Sequence, residues 1–308
     1  MQVVESPDFV RQDNRPVVLA IGSFDGLHLG HQKIIDTTID IANRKNLVSG
    51  VYSFYPHPLK VIKPDTAPPQ LITEERKVEK LKCLGVDYYF QQHFTDEFSR
   101  ISFHDFIKKI LLDKINTGYV VVGEDFRFGH RAEGKKQQLL EYGKKLDFEV
   151  SIMSAYEIEG KKVSSSLIRR LIQKGKVEEV PRFLGENYSI KGTVIHGAGR
   201  GRKLGYPTAN LKLLTEYVLP LPGVYAGYTH FRNKKYRALA SLGYNPTFSP
   251  RQEYSIEIHV LDLSQNIYGR EISFEFVEFL RPEKKFNEVQ KLKEQIEKDI
   301  LYTREILC

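Results

Sequence analysis

Two histidines, His28 and His31, close the decapeptide G-S-F-D-G-L-H-L-G-H at residues 22–31. The apolar run Val17–Ile21 precedes it and a helical pattern follows, so the decapeptide spans a turn from strand to helix. In an open α/β sheet anionic ligands settle at such a turn, because a helix N-terminus offers unpaired N–H groups and positive dipole. At this spacing the two imidazoles share one side of the first helical turn. A pair of them there suits the charge that builds on a phosphate during displacement at phosphorus. They make a poor metal site, since no third ligand follows at a recognisable spacing. The plainer reading, a helix cap in a polar corner, must also account for Gly22, Gly26, Gly30 and Asp25 in the same stretch.

Two further groups of residues could act on phosphate. Ser164, Ser165 and Ser166 open a helical pattern with Arg169 one turn on. Hydroxyls and a guanidinium in that order form an anion cradle, although three serines alone would read as an ordinary N-cap. The stretch G-T-V-I-H-G-A-G-R-G-R-K-L-G-Y-P-T-A-N, residues 192–210, holds five glycines with Arg200, Arg202 and Lys203 among them. A mobile loop around Gly197, Gly199 and Lys203 would serve as a phosphate lid; its plain alternative is a flexible hairpin loop. Thr208 and Asn210 alternate on an extended segment and face the same way. Two neutral oxygens beside a nucleotide's phosphates suit Mg²⁺, which keeps waters and shares ligands with the nucleotide. Neither a Rossmann glycine fingerprint nor a P-loop is present, since Ala198-Gly199 follows Gly197 where a P-loop has Lys-Ser/Thr.

The elements that must position these groups divide the chain in two. Over residues 1–184, strand-like runs at Val17–Ile21, 48–54, 119–122 and 148–153 alternate with helical patterns at 34–41, Glu74–Leu84, 104–113 and 135–145. That alternation predicts a parallel sheet of βαβ units. The proline-rich piece 56–69 is an irregular loop long enough to be functional. Beyond residue 184 the strand patterns at 188–196, Gly223–Phe231, 236–242, 252–261 and 271–280 follow one another without helices, which predicts a small antiparallel barrel or sandwich. Phe286, Val289, Leu292, Ile296, Ile300 and Leu301 then recur at helical spacing and predict a closing helix. The expected domains are therefore 1–184 and 185–308.

With 308 residues and 41 % hydrophobic content, the chain has material for two cores and is neither disordered nor fibrous. No apolar run reaches the roughly 18 residues of a membrane span. The first residues do not read as a signal peptide, and two cysteines, Cys83 and Cys308, are too few for a disulfide framework. The expected location is the cytoplasm. A net charge of +7 is spread evenly, with an excess of three basic residues over 1–184 and four over 185–308. That surface attracts phosphorylated small molecules but lacks the basic block of a nucleic-acid binder.

Here the motifs carry a resemblance. Residues 22–31 resemble the HxGH signature of the nucleotidylyltransferase superfamily, in the G-x-F-D-G-x-H-x-G-H form of the bacterial bifunctional riboflavin kinase/FAD synthetases. F-Y-P-H-P at 54–58, G-E-D-F-R-F-G at 123–129 and V-S-S-S-L-I-R at 163–169 resemble that family's further adenylyltransferase segments, in order. Residues 192–210 resemble its flavokinase signature, followed by matches at Pro222, 243–248, 255–262, Tyr268-Gly269 and 279–286. The resemblance implies an α/β nucleotidylyltransferase domain followed by a β-barrel flavokinase domain. It implies ATP contacts at Gly22, Ser23, Phe24, Asp25, Gly30, Asp125 and Ser164–Ser166, and at Gly197, Gly199, Lys203, Thr208 and Asn210 in the second domain. Flavin contacts are implied at Phe54, Pro56, His57, Pro58, Phe126, Phe128, Asn245 and Arg281. Glu257 matches the family's catalytic glutamate; alone it would read as an exposed strand residue. Ser23 stands where Asn is usual, Ser166 where Thr is, and Ser241-Leu-Gly243 where Asn-Ile-Gly is common, and the last departure bears on kinase affinity.

The resemblance thus implies an enzyme that phosphorylates riboflavin to FMN with ATP and Mg²⁺, then adenylylates FMN to FAD with His28, His31 and Arg169. Downstream apo-flavoproteins are conceivable receivers of the product; no nucleic-acid or membrane partner is expected. Two rivals are a chain retaining one of the two activities and a flavin-responsive nucleic-acid binder. The even charge distribution counts against the latter.

Overall fold

In the computed structural model the described residues are 1–5, 13–197, 199–232, 234–244, 254–263 and 265–307. Asn245 and the side chains of Arg200 and Lys203 lie outside the described residues. The chain forms two compact units, one of residues 1–68 and 73–164, the other of residues 69–72 and 165–308.

In the first unit, among the described residues, six parallel strands form a sheet. They are β1 (Gln2–Val4), β2 (Val17–Ile21), β3 (Val48–Tyr55), β4 (Tyr88–His93), β5 (Thr117–Gly123) and β6 (Glu149–Met153), in the order β1-β4-β3-β2-β5-β6. The chain winds outward from β2 through β3 to β4, then crosses to β5 on β2's other side. The turn leaving β2 therefore lies at the topological switch point. All five residues of β2 are buried. Val17, Leu19 and Ile21 enter one core, Ala20 and Val18 enter cores that do not include them, as a two-residue period between two covered faces demands.

Helix α1 (Leu29–Lys45) packs against β2, β3 and β5. After β3 come the short α2 (Pro58–Ile62) and then α3 (Glu74–Leu84), which Thr73 caps and Gly85 ends in left-handed conformation at φ 87°. The helix expected at 104–113 is α4 (Phe103–Asp105) continuing as a π-helix over Phe106–Lys114. Its wider turn sets Phe106, Ile107, Ile110 and Leu111 together in the core. α5 (Lys136–Leu146) precedes β6, and a ribbon of β7 (Glu157–Ile158) and β8 (Lys161–Lys162) follows it. Strands β1 and β4 were absent from the expected pattern: β1 is three residues long, and half of Tyr-Tyr-Phe-Gln-Gln-His is polar.

The second unit begins with α6 (Ser165–Gln173) and α7 (Pro181–Leu184). Its six described strands close an antiparallel barrel in the order β10-β13-β12-β11-β14-β9. These are β9 (Ser189–Ile195), β10 (Ala209–Leu213), β11 (Gly223–Phe231), β12 (Lys234–Tyr244), β13 (Tyr254–Val260) and β14 (Glu271–Arg281). Closure removes the sheet edges. The glycine-rich loop between β9 and β10 contains a short helix, α8 (Arg200–Leu204), where the sequence suggested only a loop. Val177, Val180, Phe183 and Leu184 are buried, so the 177–184 segment belongs to the barrel's packing. Gln70 joins the same unit, donating from its N–H to Glu216 O at 2.8 Å and accepting from Val218 N–H at 3.0 Å.

The closing helix α9 (Val289–Ile306) starts after Phe286, and two residues expected on its inner face are exposed, Val289 at 61 % and Leu301 at 67 %. The face turned inward carries Ile296, Asp299, Thr303 and, just past the helix, Leu307. Asp299 can sit there because the Arg281 guanidinium donates to its carboxylate at 2.8 and 3.0 Å. The charged end of Arg281, expected at a flavin, is thus held by the closing helix.

Candidate active sites

The loop leaving β2 takes a conformation few sequences tolerate. Phe24 and Leu27 lie at φ 47° and Gly26 at φ 84°, and for a bulky residue positive φ costs energy that its surroundings must offset. Phe24 and Leu27 are buried in the core shared with α3 and Tyr89. The Ser53 hydroxyl supports the loop from β3, donating to Ser23 O at 3.1 Å.

His28 ends this loop as the N-cap of α1. Its Nδ1 accepts the His31 backbone N–H at 3.2 Å, so in the neutral ring the proton resides on Nε2. The His28 and His31 rings stack at 3.6 Å with 16° between planes. Gly30 lies beneath them: a Cβ there would stand 3.3 Å from the His28 ring, so glycine between the histidines lets the first ring lie over the helix end. The motif's spacing thus has a physical reason. His28 is 5 % exposed and Asp25 is also buried. His31 Nδ1 is buried with no hydrogen-bond partner among the described residues. Loss of water around the ring, with smaller contributions from His28, Lys77 and Lys80, holds the His31 imidazole well below its ordinary value of 6.5. It is neutral at pH 7 and keeps one N–H with which to donate to a phosphate.

A stability prediction follows from this sign. As pH falls through 6.5 the unfolded chain takes up a proton that folded His31 refuses, so the fold loses stability down to the folded value. Against His31→Gln, the parental protein should lose up to about 1.4 kcal/mol of relative stability per pH unit in that window. Thermal melts of both proteins between pH 7.5 and 5 check it, and parallel curves would refute the buried neutral imidazole.

The other expected contacts of the first unit are placed as follows. Phe54 meets Tyr52 and Phe94 edge-on at 5.5 and 5.6 Å. Phe126 and Phe128 stack at 5.4 Å, and Phe128 is buried against Phe106. Between these segments the chain passes a cis Tyr55–Pro56 peptide, and His57 caps α2 with Pro58 at its first position. Asp125 is exposed and ion-paired with Lys162, whose ammonium is raised in pKa chiefly by that hydrogen bond. Lys162 was not singled out in the sequence; its signal is its position two residues before Ser164. Ser164 closes the first unit, while Ser165, Ser166 and Arg169 belong to α6, where Arg169 Nε donates to Pro69 O at 2.9 Å.

In the barrel, β10 and β13 bring three expected residues together. Asn210 stands opposite Glu257 in the ladder, and the Thr208 hydroxyl donates to Glu257 Oε2 at 3.0 Å. Gly197 closes over this group: a Cβ there would fall 2.0 Å from the Asn210 amide nitrogen, so a larger residue would push the Asn210 side chain aside. Gly199, left-handed at φ 69°, precedes α8. A cavity of about 360 Å³ adjoins Thr208, with Val194, Ala209, Ile258 and Val260 as its apolar lining and Arg202, Asn266 and Tyr268 among its polar and aromatic groups. Tyr268 stacks on His196 at 3.9 Å. Sequence reasoning gave His196 no role, since nothing in the spacing links it to Tyr268.

Comparison with known proteins agrees with both units. A family model described as FAD synthetase matches residues 10–167, and one described as riboflavin kinase matches 184–307. A bifunctional riboflavin kinase/FMN adenylyltransferase from Listeria monocytogenes is 41 % identical over 93 % of this chain and 91 % of its own. One from Bacillus subtilis is 37 % identical over 94 % and 92 %. A crystal structure described as a macrolide-efflux protein from Streptococcus pneumoniae superimposes with a TM-score of 0.87 at 31 % identity, covering 98 % of each chain. Among the described residues here no helix is long and apolar enough to cross a membrane. Matched along nearly its whole length, the chain belongs to the family of bifunctional riboflavin kinase/FMN adenylyltransferases.

Proposed function

We propose that the barrel unit transfers the γ-phosphate of ATP to the ribityl hydroxyl of riboflavin with Glu257 as base, and that the 22–31 loop adenylylates the resulting FMN. The observation that carries the first half is the Thr208–Glu257 contact with Asn210 opposite. Thr208 orients the carboxylate, which accepts the hydroxyl proton as the oxygen attacks phosphorus and ADP leaves. Its hydroxyl gives its one proton to Glu257, which leaves the lone pairs for a cation. With the Asn210 amide oxygen, these are hard neutral donors that fit Mg²⁺ held jointly with a nucleotide. When bound there, Mg²⁺ would neutralise phosphate charge. The neighbouring cavity, with both apolar and polar walls, suits the base of the nucleotide.

In the second reaction an FMN phosphate oxygen attacks the α-phosphorus of ATP and pyrophosphate departs. His28, with its proton on Nε2, and neutral His31 donate to the oxygens on which charge grows. Gly22, Ser23, Phe24, Asp25, Gly30 and Asp125 are assigned to ATP, and Phe54, Pro56, His57, Pro58, Phe126 and Phe128 to the flavin. Ser164, Ser165, Ser166 and Arg169 keep the assignment their motif implies, the holding of ATP phosphates. The adenylyltransferase is taken as residues 1–184 and the kinase as 185–308, although Ser165–Leu184 clusters with the barrel in the fold. The scarcity of cysteine fits a reducing cytoplasm, and the evenly spread charge fits small-molecule substrates over a nucleic acid.

Chromatography of the flavins formed from riboflavin, ATP and Mg²⁺ tests this. The full chain should yield FMN and then FAD, and a fragment beginning at Ser165 should yield FMN and stop. A full chain that forms no FMN, or a soluble fragment that makes FAD, would contradict the assignment of activities to units.

A further inference from the structure

Strand β10 pairs with β13 from Ala209 onward, Ala209 standing opposite Ile258 and Asn210 opposite Glu257. Thr208 comes one residue before that ladder, and Pro207 has no N–H with which to extend it. The placement of the Thr208 hydroxyl therefore depends on side chains. One of them is His259, whose Nδ1–H donates to Pro207 O at 2.8 Å. A carbonyl oxygen can only accept, so this contact fixes the proton of the neutral ring on Nδ1.

Alternation along β13 puts this histidine beside the catalytic group. Ile256, Ile258 and Val260 are buried in the barrel, and Glu257 and His259 alternate with them. The two side chains thus leave the same face of the strand, two residues apart. His259 holds the carbonyl of the peptide that links Pro207 to Thr208, and Glu257 Oε2 accepts from the Thr208 hydroxyl at 3.0 Å. One strand therefore pins two successive residues of the approach to β10. Tyr206 extends the brace. Its ring meets His259 edge-on at 5.9 Å, its hydroxyl donates to Glu297 of α9 at 2.8 Å, and its N–H donates to Gly201 O at 2.9 Å.

We infer that His259 is a positioning residue of riboflavin phosphorylation: by holding the Pro207–Thr208 peptide it sets the Thr208 hydroxyl against Glu257, and so aims the carboxylate that takes the substrate's proton. It acts through Thr208 and transfers no proton itself. The Nδ1–H is present in both the neutral and the protonated ring, so the role needs no particular charge. The inference rests on the assignment of Glu257 as the base.

The test uses full-length His259→Leu and His259→Asn, and Thr208→Ala with and without His259→Leu. For each, kcat and KM of riboflavin phosphorylation are measured beside FAD formation from supplied FMN. His259→Leu should lower kcat for phosphorylation roughly 10–100-fold with little change in KM for riboflavin, as loss of a supporting contact does. FAD formation from FMN should stay parental, because His259 belongs to the barrel unit. His259→Asn offers an amide N–H in place of Nδ1–H and should recover most of the rate. In Thr208→Ala the hydroxyl to be positioned is gone, so adding His259→Leu should cost no more than about twofold. The side chain is only partly buried, and His259→Ala takes the place of His259→Leu throughout if the latter does not fold. An unchanged kcat, His259→Asn as impaired as His259→Leu, or an undiminished loss in the Thr208→Ala background would overturn the inference. Glu257→Gln separates the two levels. If it still makes FMN at the parental rate, the assignment of the base fails; if it is inactive while His259→Leu matches the parent, only the role of His259 fails.

Discussion

Glu257→Gln should abolish most riboflavin phosphorylation and leave the conversion of supplied FMN to FAD at the parental rate. The amide keeps the shape of the carboxylate and can still meet the Thr208 hydroxyl, which lies 3.0 Å from Oε2 in the parental protein. It cannot accept the proton of the attacking hydroxyl, and loss of a general base lowers the rate roughly 10²–10⁴-fold. Because β13 and β10 belong to the barrel unit, the substitution leaves the 22–31 loop untouched. Product analysis from each starting flavin reads both activities in one protein. FAD formation from FMN falling in step with phosphorylation would show that Glu257 serves both reactions.

The reciprocal variant, His28→Ala, should let FMN accumulate from riboflavin while FAD nearly disappears. Losing one donor to a developing phosphate charge slows a step by about 10²–10³-fold. Part of the effect could arise from the fold, since His28 Nδ1 also caps α1, and removal of a cap costs about 1 kcal/mol. His28→Asn distinguishes the two contributions: it restores an acceptor for the helix end without an imidazole donor. Near-parental melting of His28→Asn with FAD synthesis still lost would assign the defect to chemistry. Recovery of FAD synthesis in that variant would reduce His28 to a cap.

Much of this arrangement was legible in the residues, and the exceptions share a cause. Strand β2 was readable because burial on both faces leaves a continuous apolar run. The nearness of Thr208, Asn210 and Glu257 came from motif resemblance, since only the β10–β13 ladder joins segments so far apart in sequence. Strand β4 was hidden by its polar residues, and β10 by the glycine-rich motif that ends within it. Local periodicity also misjudged α9, because the pattern counts Leu301 as inward while the partner of Arg281 puts Asp299 there. The contact between Glu74 and Tyr89 left no local signal, since α3 and β4 meet only in the fold.

A histidine that caps a helix has consequences for how this protein can change. Asn, Asp and Ser are the stronger caps, so under the proposed function position 28 carries a residue suited to the reaction over the helix end. Under selection for thermal endurance alone, that position would drift toward the better caps and the enzyme would become sturdier and inert. Directed evolution of a robust variant therefore has to hold residue 28 fixed and look for its gains elsewhere.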